Sequence, residues 1–244
     1  MSVVEPPRWA EITQKIKIPA SPARSKLTYE DGIPMESDWH RAAMNLLIEI
    51  IIHLWRERKD YYVGGNMFIY FDPDQVRKRN FRGPDFFVVK GIRDNTRWRE
   101  AWVLWEEDGL GPNVVIELAS QSTMAEDTGP KKAIYEQILR APEYFCYNPE
   151  TEILLGWRLE GGRYVDLPAN EKGWLWSEEL AAWVGTWSGE FLGRPNLWLR
   201  FFDRAGNLLL TGEEAEAEAR RAAEDELKQL RAQLKALDHN DLAE

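Results

Sequence analysis

The sequence predicts an α/β fold, a mixed β-sheet flanked by helices, with a helical tail at the C-terminus. Three observations predict it. Apolar residues recur at helical spacing in a long early segment and again beyond residue 212; short strand-like runs fill the middle; and their order is helix, several strands, helix, three strands, with no internal repeat.

The first helix is read from ESDWHRAAMNLLIEIIIHLWRER, where Ser37 or Asp38 serves as cap and Ala43, Leu46, Leu47, Ile50, Ile51 and Leu54 form one apolar stripe. Strand-like runs follow at YYVGGNMFIYF, PDFFVVK, AWVLWEE and NVVIELA, separated by turn residues. A second helix is expected from about Gly129 to Leu139. After it, EYFCYN and EILLGWRLEGGRYVDL read as three more strands, the last two joined as a hairpin through Gly161-Gly162. Residues 168–204 are rich in tryptophan and look less regular, as a segment wrapping the sheet edge. Trp174, Trp176, Trp183 and Trp187 are read there as packing residues rather than as stacking platforms for sugars or bases. Past Gly212 the composition turns to Ala, Glu and Arg, and Leu227, Leu230, Leu234 and Leu237 repeat at 3-4-3 spacing. Such a short coiled-coil seam is expected either to dock back on the domain or to supplement a dimer interface.

With 244 residues, 44% of them apolar, the chain can build one sizeable core or two small ones. The start of the chain has no basic segment leading into an apolar one, and the longest apolar run is interrupted by Glu49 and His53, so a cytoplasmic protein without a membrane partner is expected. The single cysteine, Cys146, excludes an internal disulfide and a multi-cysteine zinc site. A net charge of −10 argues against a surface that is everywhere a nucleic-acid footprint. Half of that charge lies from Glu213 onward, where ten acidic residues face five basic ones, and RKRNFR at 77–82 is a local basic patch.

The chemistry begins at NVVIELASQST, residues 113–123, where Glu117 ends a core strand. A carboxylate taken out of water costs several kcal/mol unless a cation, a donor or a proton compensates it. Upstream, Asp85 follows Pro84 and opens the run Phe86 to Val89, so two acids flank two neighbouring strands. Strands about 4.8 Å apart let such acids share a hard cation through oxygen ligands. In EDTGPKKAIYEQI, Lys131, Ile134, Tyr135 and Ile138 share one helical stripe, so Lys131 can aim its ammonium at the acids while Lys132 turns away. Asp127, four residues before Lys131, can cap the helix or bond the lysine. Two acids, a divalent ion and a lysine are what metal-dependent phosphodiester cleavage requires.

From His40 to about Gly212 the chain resembles the Uma-type putative restriction endonucleases, a former domain of unknown function abundant in cyanobacteria, within the PD-(D/E)XK nuclease superfamily. The pieces carrying the resemblance are Pro84-Asp85 before an apolar run, IELASQST, the series Asp127, Lys131 and Tyr135 at intervals of four, and EYFCYNPE. It implies a restriction-endonuclease-like domain over residues 1–211 with a helical tail over 212–244. It further implies Asp85 and Glu117 as ligands of Mg²⁺ or Mn²⁺, Lys131 as the catalytic lysine, DNA as substrate and a homodimer. Two residues after Glu117, where the superfamily pattern has lysine, this sequence has Ala119, which leaves the lysine's role to the helix. By the same resemblance the first helix can add an acidic group to the site, and Glu36 and His40 near its start are accessory candidates, though a capping or packing role serves equally well. Ser120 and Gln121 either contact substrate or close their loop. Glu106 and Glu107 are read as solvated hairpin ends, His53 as a boundary histidine and Tyr135 as packing. The rival class is a catalytically inactive nuclease fold kept for nucleic-acid or protein interaction.

Overall fold

The computed structural model describes residues 37–72 and 83–241, with side chains through residue 233. Glu36 and the basic run at 77–82 lie outside the described residues. Helix α1 (Asp38–Leu54) starts where Ser37 accepts a hydrogen bond from the His40 N–H at 3.1 Å, an N-cap that satisfies one of the first-turn donors. Its stripe of Ala43, Leu46, Leu47, Ile50 and Ile51 is buried, as the spacing predicts.

The central sheet has six strands in the order β1-β3-β5-β6-β7-β8: β1 (Tyr61–Gly64), β3 (Phe86–Lys90), β5 (Val114–Leu118), β6 (Glu143–Asn148), β7 (Ile153–Glu160) and β8 (Arg163–Asp166). Only the β5–β6 pair is parallel. That connection needs a crossover, and the second helical segment supplies it. Both faces of the sheet are covered. Phe86, Val88, Val114, Ile116, Leu118, Phe145 and Tyr147 face α1, whereas Phe87, Val89, Val115, Ala119, Tyr144 and Cys146 face the crossover helix. Because strand side chains alternate, Glu117 belongs to the second face, at a position where its neighbours on the strand are apolar.

Three expectations are corrected here. Residues 168–204 form a regular antiparallel sheet of β9 (Leu175–Ser177), β10 (Ala182–Phe191) and β11 (Arg194–Phe202), which packs Val184, Trp198, Leu199 and Phe201 into the α1 core. The alternation is obscured in sequence because the sheet is apolar on both faces: Trp176, Trp183, Trp187 and Trp198 lie on one, and Val184, Leu199 and Phe201 on the other. Trp174 stacks on Phe202 at 3.7 Å, and Trp176 meets Trp183 edge-on at 5.2 Å. AWVLWEE contributes only β4 (Trp102–Val103), which pairs in parallel with β2 (Ile69–Tyr70) before a 3₁₀ turn at Leu104–Glu106. Glu107 is therefore no solvated hairpin end: it is buried and accepts hydrogen bonds from Arg97 and Arg99. The tail helix, α4 (Gly212–Asp241), also departs from the docked alternative, since every described residue from Glu218 to Gln233 is exposed. No helix among the described residues is long and apolar enough to cross a membrane.

Candidate active site

Antiparallel pairing of β3 with β5 sets Phe86 opposite Ile116 and Phe87 opposite Val115. Extending that register by one residue brings Asp85 beside Glu117. The approach is fixed by a hydrogen bond in which the Leu118 N–H donates to Asp85 Oδ2 at 2.7 Å. The other oxygen, Asp85 Oδ1, lies 2.7 Å from His40 Nε2, carried on the first turn of α1. The sequence left His40 between capping, packing and an accessory role. Its backbone N–H serves the cap and its ring serves Asp85.

The crossover helix is not one regular cylinder. It opens as α2 (Met124–Glu126), passes through a π turn at Asp127–Lys131, and continues as α3 (Lys132–Gln137). Gly129-Pro130, which in sequence looks like a helix start, lies inside this turn. Pro130 has no N–H to donate, and a π turn is where an interrupted ladder is accommodated. Helical structure thus begins five residues earlier than the sequence suggests and stops at Gln137. Ile138 falls past the end and is 46% exposed instead of extending the stripe.

The remaining members of that stripe meet Glu117. Lys131 Nζ lies 2.7 Å from Asp127 Oδ1 and 3.5 Å from Glu117 Oε2, and the Tyr135 hydroxyl donates to Glu117 Oε1 at 3.2 Å. Tyr135, read from sequence as packing, thereby also orients the carboxylate. Lys132 points elsewhere, over the Trp157 ring at 4.0 Å. Tyr144, fully buried on β6, donates its hydroxyl to the Asp127 carbonyl oxygen at 2.6 Å and stacks on the Tyr135 ring. Nothing in the sequence pointed to Tyr144, because its role runs through a backbone carbonyl of a π turn. Ser120 closes its own loop: its N–H donates to Thr123 Oγ1 at 2.9 Å and its hydroxyl meets that of Ser122. Gln121 is exposed.

Burial grades across the cluster. Glu117 and Asp127 are 1% and 2% exposed, whereas the side chains of His40, Asp85 and Lys131 retain 12%, 17% and 24%. These three form the open edge of the cluster. Burial pushes the Glu117 carboxyl up to about 8; Lys131 opposes this, while the nearby charges of Asp85 and Asp127 reinforce it. Burial alone would favour a neutral Lys131, but the charges of Glu117 and Asp127 outweigh it and hold the ammonium above its ordinary range. Three acids around one lysine leave an excess of negative charge.

This donor set fits a hard divalent cation. Mg²⁺ takes oxygen ligands, commonly one or two protein carboxylates with water and substrate oxygens completing the shell, and Asp85 and Glu117 are two carboxylates side by side. Among the described residues no group of three or more His, Cys, Asp or Glu side chains is arranged to hold an ion.

A solved structure resembles the chain distantly: a putative nuclease belonging to DUF820 from Anabaena variabilis ATCC 29413, 12% identical, with a TM-score of 0.45, covering 63% of this chain and 82% of that one. No curated protein matches the chain. The sequence profile of Uma2, described as putative restriction endonuclease, matches residues 15–188, well over half of the sequence. The chain belongs to this family.

Proposed function

We propose that the protein is a metal-dependent endonuclease that hydrolyses DNA phosphodiester bonds. The observation that supports this reading best is the convergence on Glu117 of Asp85 from the adjacent strand and Lys131 from the crossover helix. Asp85 and Glu117 would hold Mg²⁺ or Mn²⁺, which when bound supplies Lewis-acid polarisation of the scissile phosphate and lowers the pKa of an attacking water. Lys131 stays protonated, so it serves as a fixed positive charge and not as the base. Its ammonium binds a phosphate oxygen and stabilises the charge that develops there in the transition state. Asp127 and Glu117 hold Lys131 from below, Tyr135 fixes one oxygen of Glu117, and the Leu118 N–H and His40 fix both oxygens of Asp85. Side chains so restrained lose little freedom when substrate arrives. Ala119 lies on the same sheet face as Glu117, so a lysine arriving from the helix supplies the charge that the strand itself lacks.

The test is incubation of the purified protein with supercoiled and single-stranded DNA in the presence of Mg²⁺, Mn²⁺ or EDTA, beside Asp85→Ala and Lys131→Ala. Cleavage that needs metal and is lost in both variants is the expected result. Absence of cleavage, together with calorimetry showing no Mg²⁺ or Mn²⁺ uptake, would leave an inactive nuclease fold that serves in nucleic-acid or protein interaction.

A further inference from the structure

Among the described residues, helix α4 is tied to the domain at its N-terminal end. Thr211 and Glu214 form a reciprocal capping box: the Glu214 N–H donates to Thr211 Oγ1 at 3.1 Å and the Thr211 N–H to Glu214 Oε2 at 2.8 Å. The same carboxylate takes a two-pronged contact from Arg200, fully buried on β11, at 2.9 and 2.7 Å. Beyond this anchor the helix rises off the protein, and 30 residues at 1.5 Å each give it a length of about 45 Å. Leu227 and Leu230 stand 48% and 50% exposed on it, three residues apart and so on one side of the helix.

We infer that α4 is a homotypic interface, pairing in parallel with α4 of a second copy of this chain through the seam of Leu227 and Leu230 and its continuation at Leu234 and Leu237. Charge selects both the partner and the direction. With Leu227 at heptad position a and Leu230 at d, Glu226 falls at g and Arg231 at e, and in a parallel pair the g residue of one helix meets the e residue five positions on in the other. Glu226 and Arg231 then form two symmetric cross-helix pairs.

Neither residue has such a partner in its own helix. Three and four positions from Glu226 stand Ala222, Ala223, Gln229 and Leu230; around Arg231 stand Leu227, Leu234 and two more cations, Lys228 and Lys235. Glu224 and Lys228, by contrast, sit four apart in the favourable orientation for pairing along one helix. Antiparallel pairing through the same seam would set the two Arg231 side chains against each other, like charge against like. A seam of about two heptads makes a weak zipper, so the pairing depends on concentration.

The test uses the whole 244-residue chain, whose only cysteine is buried Cys146. Sedimentation over a concentration series should show a mass rising toward twice the 28.4 kDa of one chain. Leu230→Asp should abolish that rise. Glu226→Arg and Arg231→Glu should each weaken pairing by about tenfold, and the two together should restore it. Leu230→Cys should oxidise to a covalent dimer, because like d positions face each other only in the parallel arrangement. A chain that stays single at every concentration, a dimer indifferent to Leu230→Asp, or charge reversals that do not rescue one another would overturn the inference.

Discussion

The phenol of Tyr144 reaches 2.6 Å to the carbonyl oxygen of Asp127, and so couples the parallel strand β6 to the π turn that carries the acid and lysine of the site. Tyr144 is a positioning residue: it touches backbone and has no path to a substrate. Tyr144→Phe keeps the ring and its stacking on Tyr135 but leaves a buried carbonyl without this donor, at a cost of about 1–3 kcal/mol in stability. If the hydroxyl sets the pose of Asp127 and Lys131, kcat falls about tenfold while KM hardly moves. Steady-state kinetics beside thermal unfolding separates the two effects, since a merely structural tyrosine would lower the melting temperature and leave kcat intact.

Lys131 is the charge on which the proposed chemistry turns. Removing a preorganised donor from such a site costs about 10²–10³ in kcat, and Lys131→Ala should lose that much. It also strips Asp127, 2% exposed, of its cation, so the variant should be less stable by about 3 kcal/mol. Lys131→Ala/Asp127→Asn separates the losses: it should recover most of the stability and none of the activity. Recovery of cleavage in the double variant would show that the lysine is only a structural partner of Asp127.

Periodicity and strand order carried most of this fold in the sequence. The α1 stripe, the β6–β8 strands and the placement of Asp85 beside Glu117 follow from apolar alternation and from one buried acid in need of a partner. A spacing of four also keeps Asp127, Lys131 and Tyr135 on one side through α and π winding alike. What escaped was set by tertiary context. The π turn hides behind Gly129-Pro130, which imitates a helix start; the three-stranded sheet hides its alternation because tryptophans fill one face and aliphatic and phenylalanine side chains the other; and His40 became legible only once α1 lay across the end of β3. Glu107 was misjudged because its partners, Arg97 and Arg99, precede it in a loop with no periodic signal.

Glu117 links stability to pH in the metal-free protein. Its folded-state carboxyl is raised to about 8 by burial, so between the ordinary carboxylate range and about pH 8 the folded state holds a proton that the unfolded chain has released. Stability therefore declines as pH rises through that window and levels off above it. Glu117→Gln keeps an acceptor for Tyr135 but has nothing to ionise, so its melting temperature should overtake that of the wild type as pH rises from 5 to 8. Cleavage should fall about 10³-fold with the loss of a candidate metal ligand. Parallel melting curves in EDTA check the first statement and a plasmid assay the second.

The anchor of α4 carries the opposite sign. Burial raises the Glu214 carboxyl, but the hydrogen bonds and charge of Arg200, with the N–H of Thr211, outweigh it and hold the group below the usual carboxylate range. A depressed folded-state value contributes stability that is fully present above the unfolded value near pH 4.5 and is lost as pH falls through the lower folded value. Glu214→Gln leaves Arg200, completely buried, without its counter-charge, and should cost about 3 kcal/mol at pH 7. That gap should narrow as pH falls below the unfolded value and close only once it passes the lower folded one, where the wild-type carboxyl is neutral as well. Chemical denaturation of both proteins at pH 7 and at pH 3 measures it. A gap that persists unchanged at pH 3 would mean that the cost comes from the capping geometry at Thr211 and not from the charge on Glu214.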